Sequence, residues 1–454
     1  MTTFPSDFVF GTATAAYQIE GAPTEDGKVA SIWDTFTHTP GTIADGTTGD
    51  VACDHYHRAE SDLDLMADLG VDAYRFSISW PRIQAAPGAG VTQAGIDFYS
   101  RLVDGLLARG ITPAVTLYHW DLPQWADDLG GWLNRDTAQR FAEYVSLVAD
   151  RLGDRVTQWM TLNEPWCSSF LGYGTGEHAP GHRSPVEPLQ AAHVLNLAHG
   201  LGVQALRAAV PASARCGIVW NPSALYPASD DPADVAACRR LRAVSNDTFT
   251  EPVLRGRYAP EAVEAASAFT DFGFVHDDDL ATIHQPIDFV GINYYMTWRV
   301  RAPKVRDASA FSSWVGALGA EMLDETGPKT AMGWNIDPQG LTDLLVDMHT
   351  RYPEYDLIVS ENGSAWDDVV SPDGQVHDAA RLDYLQRHLG AVADAMAQDV
   401  PVKGYYAWSL FDNFEWAWGH SKRFGLYYTD YATQARTPKD TARWFQQFLD
   451  KRTL

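Results

Sequence analysis

Short apolar runs recur along the chain. Each is followed by a longer stretch in which apolar residues return every three or four positions. The short runs fall at 8–12, 73–79, 112–118, 159–163, 216–221, 289–294, 357–360 and 404–409. They are rich in Val, Ile, Phe, Tyr and Trp and barely alternate with polar residues. That is the pattern of parallel strands covered on both faces. Helical spacing predicts helices over 54–69, 94–108, 136–152, 188–210, 235–255, 338–351, 379–397 and 439–449. In the first, Leu63, Met66, Ala67 and Leu69 recur at helical spacing and Gly70 marks the stop; in the third, Asp136 is the candidate N-cap and Gly153 the end. Eight strands alternating with eight helices predict an α/β fold, a single (β/α)8 TIM barrel with long active-site loops, and one catalytic domain over 1–454. The loop stretches 20–53, 166–186, 222–234, 300–337 and 411–436 are rich in Gly, Pro, Asp, Thr and aromatics. Most follow a predicted strand, and in such barrels those connections build the active-site face.

Composition narrows the chemistry. Lys and Arg number 34 against 59 Asp and Glu, a net charge of 34 − 59 = −25. So acidic a surface repels phosphate backbones and anionic headgroups, which excludes nucleic-acid and membrane partners. The four cysteines, Cys53, Cys167, Cys216 and Cys238, form no C-x-x-C pair and do not read as a disulfide framework. The N-terminus lacks a basic and an apolar signal region, and no long apolar span occurs, so the expected compartment is the cytoplasm. Sixteen tryptophans, many beside polar residues, suit a sugar site, where flat rings stack on C–H faces. His55, His57 and Asp54 form no metal site with any later His/Asp set, and Gly172–Gly176 reads as a flexible loop, not a dinucleotide turn. No cofactor and no metal are expected.

Two glutamates stand where glycoside chemistry needs carboxyls, at the C-terminal ends of different strands. Glu164 ends the fourth run and precedes Pro165, which disfavours helical geometry and predicts an extended Glu164. Glu361 follows the seventh run and precedes Asn362-Gly363, a turn signal. Thr161-Leu162-Asn163-Glu164-Pro165-Trp166 resembles the acid/base motif of family 1 glycoside hydrolases, and Ile358-Val359-Ser360-Glu361-Asn362-Gly363 resembles that family's nucleophile motif. Residues 8–21 resemble its N-terminal signature; 74–80, 116–121, 291–295 and 408–416 match in family order, covering almost the whole chain.

The resemblance implies a retaining β-glycosidase, foremost a β-glucosidase, with Glu361 as nucleophile and Glu164 as acid/base. A retaining pair predicts carboxyls about 5–5.5 Å apart. Arg75, at the end of the second strand, is expected to lower the Glu361 pKa, and Tyr295 to donate to it; Glu361 in turn raises Glu164. The implied sugar-binding residues are Gln18, His119, Trp120, Asn163, Asn293, Trp408, Glu415 and Trp416. Trp166, Trp334 and Phe424 join them, the two tryptophans on the leaving-group side. Asn335 stands where many relatives carry Glu, which alters the expected acceptor rim. Cys167 reads as a small packed residue. Relatives acting on 6-phosphosugars replace the Glu415 position with Ser and add a Lys/Tyr clamp; Lys422 is present, but Glu415 and Phe424 predict unphosphorylated sugars. The expected partner is a small-molecule β-glycoside or oligosaccharide, with galactosides and fucosides as secondary substrates. A transglycosidase using the same intermediate and a catalytically weak sugar-binding protein are the alternatives. Oligomeric state is open.

Overall fold

The barrel strands are β1 (Val9–Ala13), β2 (Ala73–Ser77), β3 (Thr112–Tyr118), β4 (Gln158–Asn163), β5 (Arg215–Trp220), β6 (Phe289–Asn293), β7 (Asp356–Asn362) and β8 (Val402–Trp408). They come from a computed structural model that describes residues 3–305, 312, 314–315, 317–323 and 326–454. All pair in parallel in sequence order, and β1 closes the ring on β8 with Val9 opposite Gly404 and Ala13 opposite Trp408. Each expected strand is present, shifted by no more than two residues at either end. Buried on both faces, these runs have no reason to alternate in polarity.

Helices cover the outside. Seven of the eight expected ones form as single helices, among them His55–Leu69, closed by Gly70 at φ 80°, and Asp136–Leu152. Asp136 is the first residue of its helix, not the cap. The expected helix at 235–255 is broken into Pro232–Arg242, a π-helical turn Ala243–Asp247, and Thr248–Arg255. The widened turn presents Asn246, whose side chain accepts from the Ser223 amide and donates to its carbonyl. A tertiary contact of this kind leaves no mark in the periodicity. The expected flexible loop around Gly172 is also a π-helical turn, Cys167–Thr175, and is largely buried. A small outer sheet of Ala224–Pro227, Thr297–Arg301 and Glu321–Leu323 was not expected. The loop expected over 300–337 lies partly outside the described residues.

Aromatic rings pack β1 and the segment before it against the last helix, Asp440–Lys451: among Phe4, Phe8, Phe10 and Phe448 the paired ring centres are 4.8–6.1 Å apart. This cluster lies toward the N-terminal end of the barrel. At the opposite end a buried charge network pins the loop after β8. Lys439 donates to Asp368 and Asp412, each at 2.6 Å, while Arg381 binds Asp368 and Asp378 and Arg423 binds Asp412. Buried charges persist only when so paired. Gly363 supplies the last fitting. A Cβ there would lie 1.8 Å from the Trp408 carbonyl, so only glycine lets the exit of β7 run against the end of β8. Among the described residues no helix is long and apolar enough to cross a membrane.

Candidate active site

Glu164 and Glu361 face one cavity of about 360 Å³ at the C-terminal end of the barrel. Glu164 follows β4 directly. Its amide donates to the Val219 carbonyl at 2.9 Å, and the next residues turn at once into a helix. The expected extended conformation is wrong: Glu164 has φ 43°. Pro165 excludes the right-handed helical region, and so sharp an exit from the strand uses the left-handed one. Glu361 lies inside β7, which runs two residues further than expected. Shifts in pairing register after Val359 against both β6 and β8 mark a bulge, which re-aims the side chain.

Arg75 ties Glu361 to Asn163 from the middle of β2, not from its end. Its Nη1 donates to Glu361 Oε1 at 2.7 Å and to the Ser360 carbonyl at 3.1 Å; Nη2 donates to Asn163 Oδ1 at 2.7 Å, and Nε to Thr116 Oγ1 at 3.1 Å. Tyr295 donates to Glu361 Oε2 at 2.8 Å. Ser360 Oγ donates to Asn293 Oδ1 at 2.8 Å, which turns the Asn293 amide nitrogen toward Asn163 Oδ1 at 3.1 Å and Glu164 Oε1 at 2.5 Å. The other Glu164 oxygen, Oε2, accepts from the Cys167 thiol at 3.1 Å.

The electrostatics of the two carboxyls differ. Burial, reinforced by the Glu361 charge, pushes Glu164 up to about 7; Asn293, Cys167 and Arg75 pull it down. Burial also raises Glu361, so the expected net lowering by Arg75 does not hold. Desolvation outweighs the guanidinium, yet Arg75 and Tyr295 oppose it at Glu361 with direct hydrogen bonds. Glu415 is a third carboxyl on the cavity, pushed up to about 8 by burial and by the charges of Glu361 and Glu164.

The sequence model of glycosyl hydrolase family 1 matches residues 1–453. This chain belongs to that family. It is 50% identical over 457 residues to the bifunctional β-D-glucosidase/β-D-fucosidase of Bifidobacterium breve, covering 98% of each chain. The β-glucosidase of Thermotoga maritima in complex with deoxynojirimycin superposes with a TM-score of 0.95 at 45% identity, covering 100% of both chains. The psychrophilic β-glucosidase of Micrococcus antarcticus gives 0.94 at 43%, covering 100% of this chain and 98% of that one. The chain is thus a hydrolase of the β-glucosidase type, acting on β-glycosidic bonds.

The family 1 cavity has a deep aromatic end. His119 lies nearly parallel to Trp408 and Trp416, with ring centres 5.9 Å away in each case. Burial and the Arg75 charge hold His119 well below the ordinary imidazole range, so it is neutral. Asn163 Nδ2 lies 3.0 Å from its Nε2, and its Nδ1 has no protein partner. Trp120 packs on Trp416 at 4.4 Å and donates to the Asn163 carbonyl at 2.9 Å. Gln18 does not line the cavity wall itself. It is fully buried behind it, donating to the Phe414 carbonyl at 2.9 Å and lying 3.4 Å from Glu415 Oε2, with its own Oε1 unpartnered by protein.

Trp166, Trp334 and Phe424 also line the cavity, together with Met332, Trp298, Trp314 and Trp418. The last four were not anticipated. Trp418 stands two residues beyond Trp416 in a matched motif and Trp298 three beyond Tyr295, so adjacency was a usable signal for both. Nothing marked Trp314. Asn335 is not on the rim. It is buried, accepting from the Thr297 amide at 3.1 Å and donating to Thr297 Oγ1 at 2.9 Å, which pins the outer sheet. Lys422 donates to the Ala331 carbonyl at 2.6 Å. His55 pairs with Asp62, and His57 with Asp54 and Glu25; none of these residues reaches the cavity.

Proposed function

We propose that the protein is a retaining β-glucosidase that removes terminal non-reducing β-D-glucosyl residues by double displacement, with Glu361 as nucleophile and Glu164 as acid/base. The unequal setting of the two carboxyls carries the reading. Glu361 takes two direct hydrogen bonds from Arg75 and Tyr295, which stabilise an anion. Glu164 takes none from a cation and is pushed up to about 7, which suits a proton shuttle. The pair therefore loses its first proton from Glu361. That both carboxyls feel the single Asn293 amide supports the close spacing of a retaining pair.

In the first step a Glu361 oxygen bonds the anomeric carbon while the bond to the leaving oxygen breaks and Glu164 gives that oxygen its proton. In the second, water loses a proton to Glu164, its oxygen takes the anomeric carbon, and Glu361 departs as carboxylate. Loss of the negative charge on Glu361 in the intermediate favours ionised Glu164, the form that acts as base. Asn163 keeps one amide hydrogen for the 2-hydroxyl, Trp408 provides a stacking floor, and Glu415, backed by Gln18, faces the far side of the ring. Glu415 supplies no positive charge and Lys422 is engaged by the Ala331 carbonyl, which disfavours phosphorylated sugars. The B. breve relative's β-D-fucosidase activity supports fucosides as secondary substrates. Helices covering one closed barrel support a single domain, and four free cysteines support the cytoplasm.

Nitrophenyl β-D-glucoside is expected to release β-glucose first, followed by proton NMR before mutarotation; α-glucose as the initial product overturns retention. A panel of nitrophenyl β-glycosides should rank the glucoside first. The acid form of Glu164 must deliver the proton, so kcat/KM on cellobiose should fall about tenfold per pH unit above an ionisation near 7. A profile flat to pH 9 removes Glu164 from that role.

A further inference from the structure

We propose that Cys167, held by Asn221, is a positioning residue for the acid/base: its thiol fixes Glu164 Oε2 for proton delivery and supports the carboxylate left behind. The proposal rests on the reading of Glu164 as acid/base.

The two Glu164 oxygens have one protein partner each. Oε1 accepts from Asn293 Nδ2, whose orientation is set by Ser360. Oε1 is engaged by a full amide donor and Oε2 by a thiol, the weaker donor, so the acidic proton sits on Oε2. The neighbour of Oε2 is Cys167 Sγ, 3.1 Å away. The thiol is anchored from behind, where Asn221 Nδ2 donates to Sγ at 3.3 Å. With that contact on one sulfur lone pair, the S–H vector points toward Oε2. Cys167 and Asn221 both line the cavity, and Cys167 is packed on its other sides into the apolar core.

Glu164 also has φ 43°, so its backbone lies in a sparsely populated region and its side-chain direction needs outside support. Cys167 sits in the first turn after that kink, and its amide donates to the Glu164 carbonyl at 2.9 Å. Burial and the Glu164 charge keep the thiol protonated. It therefore donates and does not act as a nucleophile. During glycosylation the proton passes from Oε2 to the leaving oxygen; the thiol keeps its own proton and hydrogen-bonds the anion as it forms. In the second step the same bond holds Oε2 while its other lone pair faces water.

The test is kcat/KM for Cys167→Val, which fills the space without a donor, and Cys167→Ser, which restores one; Cys167→Ala replaces Val if that variant does not fold. Without the donor, Val should lose about tenfold on cellobiose, whose leaving group needs the proton, and about twofold on 2,4-dinitrophenyl β-glucoside. Its alkaline limb should move up by about half a pH unit, because a donor to the charged form has gone. Ser should recover the parent profile. Equal losses on both substrates, or an unmoved limb, overturn the proposal, since a packing role affects both leaving groups alike. Glu164→Ala, run in parallel, separates the two readings. If it lacks leaving-group dependence, the acid/base assignment falls. If it shows that dependence while the Cys167 variants keep the parent profile, only the role of Cys167 falls.

Discussion

Replacing Glu361 with glycine is expected to reduce turnover of every β-glucoside by about 10⁵-fold or more, equivalent to about 7 kcal/mol of transition-state stabilisation. The loss should not depend on the leaving group, because the covalent step itself is gone. Arg75 makes the variant informative. It is 1% exposed, and its Nη1 would face the empty position with its carboxylate partner removed. A buried guanidinium without its anion is costly, so the site should recruit a small anion. Azide at high concentration fits that space and carries the right charge. It should attack the anomeric carbon from the face Glu361 occupied and release dinitrophenolate from an activated β-glucoside. The product should be α-glucosyl azide, identified by its anomeric coupling in NMR. Absence of rescue, or a β-azide, would remove Glu361 from the nucleophile position. Tyr295 and Arg75 remain in place in this variant, so rescue also reports that the surrounding donors are intact.

Most of the barrel was legible because its physics is local. A strand covered on both faces must be apolar throughout, and a covering helix must repeat near every third or fourth residue, so β1 to β8 and most helices follow from pattern. Elements fixed by distant contacts were not legible. The π-helical turn Ala243–Asp247 exists where Asn246 meets Ser223, and no periodicity encodes that meeting. The outer strand Thr297–Arg301 pairs with a four-residue partner, too short to stand out from a loop. The same division runs through the site. Glu164 and Glu361 stand at strand ends inside recognisable motifs. The φ of Glu164 was missed because Pro165 forbids one region and leaves two, and only the fold chooses. The net effect of burial on Glu361 was missed because adjacency to Arg75 is visible in a pattern and desolvation is not. Trp298 approaches the cavity on the outer strand, and Trp314 and Trp418 on connections whose paths are set by packing.

Glu164→Ala should separate the two chemical steps. On a poor leaving group such as cellobiose, kcat/KM is expected to fall by about 10³-fold, within the range lost with a general acid. On 2,4-dinitrophenyl β-glucoside it should barely change, because that phenolate leaves unprotonated. Turnover of the activated substrate should nevertheless be slow, since water now lacks its base. A burst of dinitrophenolate equal to the enzyme concentration should precede a slow steady state, and mass spectrometry should find the chain one glucosyl unit heavier. Azide needs no base, so it should raise the steady-state rate and yield β-glucosyl azide, the opposite anomer to the Glu361→Gly product. That inversion follows from geometry alone: azide meets an α-linked glucosyl-enzyme from the Glu164 side in one variant, and a β-glucoside from the Glu361 side in the other. If both variants give the same anomer, the two carboxyls do not stand on opposite faces of the sugar, and the double-displacement assignment fails. The alkaline limb near pH 7 should also vanish in Glu164→Ala on the activated substrate. A limb that survives there belongs to another group, and Glu415, pushed up to about 8 on the same cavity, is the one placed to supply it.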